Sequence, residues 1–290
     1  MWTKVPPECL MGRIINDPNS YHRIDLTESD EDYQKRASYD CGVYFVFSCN
    51  TPFLYIKTKV HYKPSTDNRK VATGIQILGK VDGVWELINN TPRINNVLCD
   101  RETIIYYTLP QHKYTEFQIC FPAQGRIEEY FMIKTAEEPI FKTLPLEAVV
   151  LGSSVAQDNN SSSHMNLCCY AYRKLGINMA TLGISHHNVL KCQEALERAL
   201  MLDQNVKFIL MDVNNVLEEE LTNFKEMFRD RKLYSLVIAN KCKESVTNLL
   251  AAHPEIDTID IDADGRYDQT HLNDYGTVLY MNELLRKGIL

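Results

Sequence analysis

The amino-acid sequence predicts a mixed α/β protein in which an antiparallel β-sandwich precedes a parallel sheet with helices on both faces. Before about residue 135, short runs rich in β-branched and aromatic residues alternate with turn signals. After about residue 145, continuous apolar runs alternate with helical stretches, which is typical of βαβ units. A chain of 290 residues is long enough for two domains.

The first half contains six runs with the composition and alternation of strands. These runs are 42–49, 54–62, 73–78, 103–109, 115–121 and 128–134. Asp82-Gly83 follows the third run and is a strong signal for the tight turn of a β-hairpin. We place the β-sandwich domain at residues 1–140 and a joint between the domains at 135–147, where acidic residues and prolines cluster.

The second half, residues 145–290, predicts the α/β domain. Its strand-like runs are 148–151, 177–182, 206–213, 233–239 and 258–261. Its helical stretches are 165–175, 188–202, 218–231, 245–252 and 274–287. Because the strands and helices alternate, successive strands are expected to lie parallel, with the active site beyond their carboxyl ends.

Composition and charge exclude several classes of protein. The chain is 44% hydrophobic with a net charge of −7, which argues against a nucleic-acid partner. No apolar run approaches the length of a membrane span, so no membrane partner is expected. The N-terminus lacks the apolar core of a signal peptide, which predicts a cytoplasmic location, although a leader removed earlier would be compatible with secretion. The oligomeric state stays open, a homo-oligomer included.

Cysteine and histidine usage predicts neither a metal nor a cofactor. The nine cysteines are an odd number without a C-x-x-C pair, which favours reduced structural thiols. His164, His186 and His187 have no acidic or cysteine neighbours at ligand spacing, so they are expected to be surface or supporting residues.

Candidate site residues follow three successive predicted strands. Ser154 comes after the first, Gly183 after the second and Asn214-Asn215 after the third. Near the C-terminus, a carboxylate and an imidazole lie three residues apart as Asp268 and His271. A hydroxyl at the end of a strand, with a histidine and an aspartate elsewhere, is the raw material of a serine hydrolase. Each motif alone is also common in turns and helix caps, so the prediction depends on their combination and order.

These motifs resemble the blocks of the SGNH (GDSL-type) hydrolase superfamily, in the carbohydrate-esterase-like branch with an N-terminal β-sandwich. The serine block is Gly-Ser-Ser-Val-Ala-Gln at 152–157, and Leu-Gly-Ile-Ser at 182–185 is similar to the start of the glycine block. Val-Asn-Asn at 213–215 is similar to the asparagine block, and 268–276 to the family's D-x-x-H block. The resemblance covers about residues 37–290 and implies a flavodoxin-like parallel sheet after a jelly-roll-like sandwich.

The resemblance also implies roles. Ser154 would be the nucleophile, His271 its base and Asp268 the group that orients the imidazole, although some members work with the histidine alone. The backbone N–H groups of Ser154 and Gly183 and the side chain of Asn215, with Asn214 as its rival, would form the oxyanion hole. The implied substrate is a small-molecule or oligosaccharide ester, in particular an O-acetyl group on a sugar.

Two other functions stay open. The same triad could serve a lysophospholipase or thioesterase, or the fold could belong to a non-catalytic glycan-binding protein. In the β-rich half, Trp85 or Tyr62 could stack on sugar rings, with packing as the alternative.

Three departures from the family pattern affect the pocket more than the chemistry. His186-His187 follow Ser185 where the family has a glycine, and Leu272 replaces the usual proline. The segment from Asn215 to Asp268 is short for this branch, which favours a more open site.

Overall fold

The mixed α/β fold is confirmed by a computed structural model of the chain. The structure describes residues 1–14, 19–24, 31–62, 74–88, 101–110, 113–123, 125–157, 161–185, 187, 205–213, 216–237, 244–260 and 271–288. The strands are β1 (Thr3–Lys4), β2 (Tyr44–Ser48), β3 (Phe53–Tyr62), β4 (Gln76–Val81), β5 (Val84–Leu87), β6 (Glu102–Thr108), β7 (Glu116–Cys120), β8 (Gly125–Lys134), β9 (Ile140–Lys142), β10 (Leu146–Leu151), β11 (Asn178–Thr181), β12 (Phe208–Met211), β13 (Lys232–Val237) and β14 (Asp257–Asp260). The helices are α1 (Glu31–Ala37), α2 (Ser154–Gln157), α3 (Leu167–Leu175), α4 (Glu218–Met227), α5 (Glu244–Ala252) and α6 (Asp274–Arg286).

Strands β1 to β9 form two antiparallel sheets, ordered β1-β8-β3-β6 and β5-β4-β7-β2-β9. Side chains from both sheets, such as Phe45, Phe117, Ile56 and Phe131, belong to one buried hydrophobic cluster. The opposite face of β2 is buried too, because Tyr44 packs with residues of α3. This face joins the antiparallel half of the molecule to the parallel half.

The last five strands form a parallel sheet ordered β11-β10-β12-β13-β14. Alternate residues of a strand point to opposite faces, so Val150 of β10 packs with α3 and α6, whereas Leu151 packs with α4 and α5. The near-continuous burial of β10 and β12 is typical of inner strands in a parallel sheet. The carboxyl ends of β10, β11 and β12 are neighbours at one edge.

Local sequence signals predicted most strands closely. The β4–β5 hairpin at Asp82-Gly83 is confirmed, with φ angles of 49° and 82° that suit a turn needing left-handed residues. The helix expected at 218–231 ends earlier, at Met227, where Phe228 follows as the C-cap. The helix expected at 188–202 lies outside the described residues.

The N-terminal 40 residues contain elements that the sequence did not predict. The side chains of Ile24, Tyr33 and Ala37, the last two on α1, pack in the same cluster as β10 and β12. Strand β9 lies inside the segment expected to be a joint and pairs with β2. The domain boundaries at 140 and 145 stay a prediction.

Two general properties concern the described residues alone. Their helices are too short or too polar to cross a lipid bilayer. Their six cysteines form no disulfide with one another, and five of the six are buried.

Candidate active site

The turn after β10 is shaped by Gly152. Its φ angle is +149°, and an added Cβ would lie 2.5 Å from the Cβ of Asp212, at the end of the neighbouring strand β12. A side chain is therefore excluded by both conformation and space. The chain passes through Ser153 and enters α2 at Ser154, which places the Ser154 hydroxyl at the carboxyl edge of the sheet.

Ser154 and His271 are brought together although they lie 117 residues apart in the chain. Nε2 of His271 is 2.8 Å from Oγ of Ser154, and both residues are partly exposed. A histidine nitrogen at this distance can accept the hydroxyl proton. This is the arrangement expected of a nucleophile and its general base.

The start of α6 fixes the position of His271. Asn273 caps the helix, accepting a hydrogen bond from the N–H of Gly276, and Leu272 is buried in the core beneath α6. Asp274 accepts two hydrogen bonds of 2.7 Å from the N–H and hydroxyl of Ser162, in the loop after α2. The histidine segment is therefore attached to the serine segment at a second point.

Gly183 lies directly against α2. An added Cβ would be 2.1 Å from the backbone nitrogen of Gln157 and 2.4 Å from the carbonyl carbon of Ala156. In this structure the Gly183 N–H donates to the hydroxyl of Thr181 at 2.9 Å, and that hydroxyl donates to the carbonyl of Ala156 at 2.6 Å. The N–H expected in the oxyanion hole thus already has an acceptor, whereas no hydrogen bond from the Ser154 N–H to another described residue is found.

A second serine contact was missed by sequence reasoning. The hydroxyl of Ser153 donates to Oδ2 of Asp212 at 2.6 Å, and Asp212 is fully buried. This bond ties the nucleophile turn to the end of β12, directly before the predicted asparagine block. An acidic residue inside the apolar run 206–213 was the available signal, because a buried carboxylate must find hydrogen-bond donors.

Several predicted site residues lie outside the described residues. These are Asp268, Asn214, Asn215 and His186. Their roles stay predictions. His187 is described: its ring contacts that of Tyr33 on α1 edge-on, with the ring centroids 5.3 Å apart.

His164, which precedes α3, has a supporting environment. Its backbone N–H and its Nδ1 are each 2.7 Å from Oε1 of Gln76. Burial, and to a lesser degree the nearby charge of Arg173, lowers the pKa of His164 to about 4, with Asp274 opposing the shift. Among the described residues, no three histidine, cysteine or acidic side chains are grouped to hold a metal ion.

The aromatic residues considered for sugar stacking are placed differently. Trp85 is half-buried, and its ring lies 6.1 Å from that of Tyr172 in a T-shaped contact. Packing therefore accounts for Trp85. The backbone of Tyr62 ends β3, and its side chain lies outside the described part of the chain.

No protein-family model matches the chain, and no curated protein matches it in sequence. Solved structures do match. A protein from Bacteroides ovatus described as GDSL-like lipase has 19% identity and a TM-score of 0.72, and the match covers 98% of this chain and 96% of that one. The salicylyl-acyltransferase SsfX3 from a tetracycline biosynthetic pathway has 13% identity and a TM-score of 0.64, with 100% and 98% covered.

A family two carbohydrate esterase from Cellvibrio japonicus has 9% identity and a TM-score of 0.60, with 99% of this chain and 96% of that one covered. Identities this low show a shared fold alone. The predicted resemblance to the SGNH hydrolases is thus confirmed as a likeness of fold along nearly the whole chain.

Proposed function

We propose that this protein is a serine ester hydrolase that forms an acyl-enzyme on Ser154. The observation that carries the proposal is the 2.8 Å contact between Oγ of Ser154 and Nε2 of His271. Its position at the carboxyl edge of a parallel sheet supports it, because ligands bind there in this kind of fold. The shared fold with an esterase, a GDSL-like lipase and an acyltransferase agrees with ester chemistry.

In the first half of the reaction, Nε2 of His271 takes the hydroxyl proton while Oγ of Ser154 attacks the ester carbonyl carbon. The carbonyl π electrons move to the oxygen, which becomes an oxyanion in a tetrahedral intermediate. When this collapses, the bond to the alkoxy group breaks and His271 gives its proton to the leaving alcohol. The acyl group stays on Ser154.

In the second half, a water molecule takes the place of the alcohol. His271 removes a proton from the water as its oxygen attacks the acyl carbon, and the proton then returns to Oγ of Ser154 as the acid leaves. Asp268 would accept a hydrogen bond from the other imidazole nitrogen and fix its orientation. This last role rests on the resemblance to the family.

The oxyanion needs hydrogen-bond donors placed in advance. The N–H of Ser154 is one, and the side chain of Asn215 or Asn214 would be another. The N–H of Gly183 could donate to the oxyanion only if its hydrogen bond to the Thr181 hydroxyl were shared or broken. Loss of one such donor typically removes roughly 3–4 kcal/mol of transition-state stabilisation.

The architecture around the site belongs to the same proposal. The two antiparallel sheets would form a jelly-roll-like sandwich domain at 1–140, which is supported by their shared core. The α/β domain at 145–290 would carry helices on both faces of its sheet, as the two separate clusters of side chains support. We infer a carbohydrate O-acetyl group as the substrate, an assignment that follows the resemblance.

The proposal is tested by labelling with a fluorophosphonate probe and by hydrolysis of a short activated acetate ester. We expect the wild type to react and Ser154→Ala to be unlabelled, with hydrolysis at least about 10³-fold slower. His271→Ala should lose both activities similarly, because the hydroxyl then has no base.

Two matched variants control for general damage. Ser163→Ala removes another buried hydroxyl nearby, which donates to the carbonyl of Gly74, and His253→Gln changes a histidine at the opposite end of the sheet. Both should label like the wild type. Equal labelling of Ser154→Ala, or an inert wild type, would contradict the proposal. A panel of acetylated sugars and longer acyl esters then separates the substrate classes.

A further inference from the structure

Arg23 is a fully buried cation in the N-terminal segment, where the sequence predicted no helix or strand. All four hydrogen bonds of its side chain in the described part of the chain go to backbone carbonyl oxygens. Nη1 donates to the carbonyls of Thr181 at 2.8 Å and Gly183 at 3.0 Å. On the other side, Nε donates to Tyr39 at 3.0 Å and Nη2 to Ala37 at 3.4 Å.

The guanidinium therefore joins two distant parts of the chain. Ala37 and Tyr39 end the segment around α1, whereas Thr181 and Gly183 form the turn that leaves β11. A guanidinium is planar and presents its donors in a fixed fork, so four simultaneous acceptors define the spacing between the two parts. Removing this charge from water costs several kcal/mol unless hydrogen bonds compensate, so an apolar side chain would fill the same space at lower free energy.

The turn held by Arg23 is the one that lies against the nucleophile helix. Gly183 approaches Ala156 and Gln157 so closely that a methyl group would not fit between them. Helix α2 has only four residues and begins at Ser154, so a displacement of its last residues changes the direction of its first. Arg23 therefore contacts a turn that packs directly against the short helix carrying Ser154.

Other contacts from the same segment support the same turn. The thiol of Cys41 donates to the carbonyl of Gln157, and the side-chain amide of Gln157 donates to the carbonyl of Arg36 at 3.4 Å. Oε1 of Gln157 accepts from the N–H of Ser185 at 2.7 Å. Together with Arg23, these contacts make the N-terminal segment a support for the serine and glycine motifs.

We infer that Arg23 is a positioning residue for the reaction at Ser154, acting through the Thr181–Gly183 turn and α2. The inference rests on the proposed serine chemistry and adds a residue that no active-site motif contains. Arg23 touches no reacting atom. Its part is to hold the carbonyls of Thr181 and Gly183 so that Ser154 lies within reach of His271.

The test uses the full chain and compares Arg23→Lys and Arg23→Met with the wild type. Lysine keeps the charge but replaces the planar fork with a single ammonium group, so it cannot satisfy the same four carbonyls. Methionine removes both charge and donors. As a matched control, Arg13→Met removes an arginine of the same segment whose Nη1 donates to the Ser20 carbonyl.

For both Arg23 variants we expect kcat on an activated acetate ester to fall about 10- to 100-fold, since small displacements of reacting groups have effects of this size. KM should change less than about twofold, and the rate of fluorophosphonate labelling of Ser154 should fall with kcat. Rates are normalised to the folded fraction, measured by circular dichroism at low temperature. Arg13→Met should react like the wild type.

Wild-type kcat and labelling rate in folded Arg23→Lys and Arg23→Met would overturn the inference. Failure of both variants to fold would also overturn it, because Arg23 would then serve folding instead of positioning. A wild type that neither labels nor hydrolyses would instead remove the proposed function itself. The two failures are therefore distinguishable in one experiment.

Discussion

The two ends of the parallel sheet differ in the side chains that they bring together. At the amino end, a cavity of about 580 Å³ adjoins a second of about 490 Å³. Half of the residues that line the larger cavity are basic, namely Lys225, Arg229, Arg231, Lys232 and Lys287. The carboxyl end instead holds Ser154 and His271 in hydrogen-bond contact.

Two of the basic residues at the amino end, Lys225 and Lys287, have a structural explanation. Lys225 is in the last turn of α4, and Lys287 is the C-cap of α6, where positive charge complements the helix dipole. Each also has an acidic partner: Lys225 pairs with Glu255, and Lys287 is 3.3 Å from Asp257. A cavity lined by basic side chains is therefore no sign of reactivity by itself, whereas Ser154 and His271 were proposed as reacting groups from their mutual geometry.

Among the variants that compare the two ends of the sheet, Gly183→Ala at the carboxyl end should have the largest effect on the free energy of unfolding. The new methyl group would meet the backbone nitrogen of Gln157 at 2.1 Å, and backbone cannot move aside as a flexible side chain can. We expect a loss of about 3 kcal/mol in the free energy of unfolding and a large loss of esterase activity. Urea denaturation measures the loss of unfolding free energy.

Gly176→Ala is the matched control, at the amino end just before β11. It has a φ angle of +72° and open space around it, so alanine costs only conformational strain of about 1–2 kcal/mol. Its activity should stay at the wild-type level. If Gly183→Ala were as stable as Gly176→Ala, the close packing of the glycine turn on α2 would be wrong.

The next effect concerns pH and His164, near the carboxyl end. Its pKa in the folded state is lowered to about 4, while in the unfolded chain it is near 6.5, so the unfolded state binds the proton more strongly. Stability is therefore unaffected above about pH 6.5 and falls as the pH drops towards 4, by up to about 3 kcal/mol from this group.

His164→Gln should remove this contribution. The difference in unfolding free energy between wild type and variant is measured in urea at pH 7 and at pH 4. The wild type should lose more stability than the variant over this range. Equal losses would mean that His164 is solvated and not held neutral by burial.

The smallest effect is expected at the amino end. Arg229 and Lys232 are exposed, and the double variant Arg229→Gln, Lys232→Gln should change the free energy of unfolding by no more than about 0.5 kcal/mol. Its kcat/KM should stay within about twofold of the wild type. A tenfold loss of kcat/KM would contradict this expectation, because the amino-end cavity would then take part in the reaction.

The sequence anticipated those features that rest on local signals. Asp82-Gly83 predicted the hairpin, and the apolar run around β10 predicted a buried strand. Ser154 and His271 were singled out from short motifs, and the structure brings them into contact, while their catalytic roles stay a proposal. Each of these patterns is contained within a few residues, so sequence alone can report it.

The remaining features depend on contacts between distant residues. Arg23 meets Gly183 across 160 positions, and Ser153 meets Asp212 across 59, so no local pattern could announce either bond. Strand β9 has only three residues, too few to show an alternation, and exists because β2 offers it a partner. Contacts formed only in the folded protein determine these features.

The proposed chemistry at Ser154 is tested by locating the acyl-enzyme. The protein is mixed with a short activated acetate ester, quenched with acid during turnover, digested and examined by peptide mass spectrometry. We expect one acetyl group, on the hydroxyl of Ser154, that is absent from His271→Ala. An acetyl group on another residue of a hydrolysing wild type, or acetylation of Ser154 undiminished in His271→Ala, would contradict it.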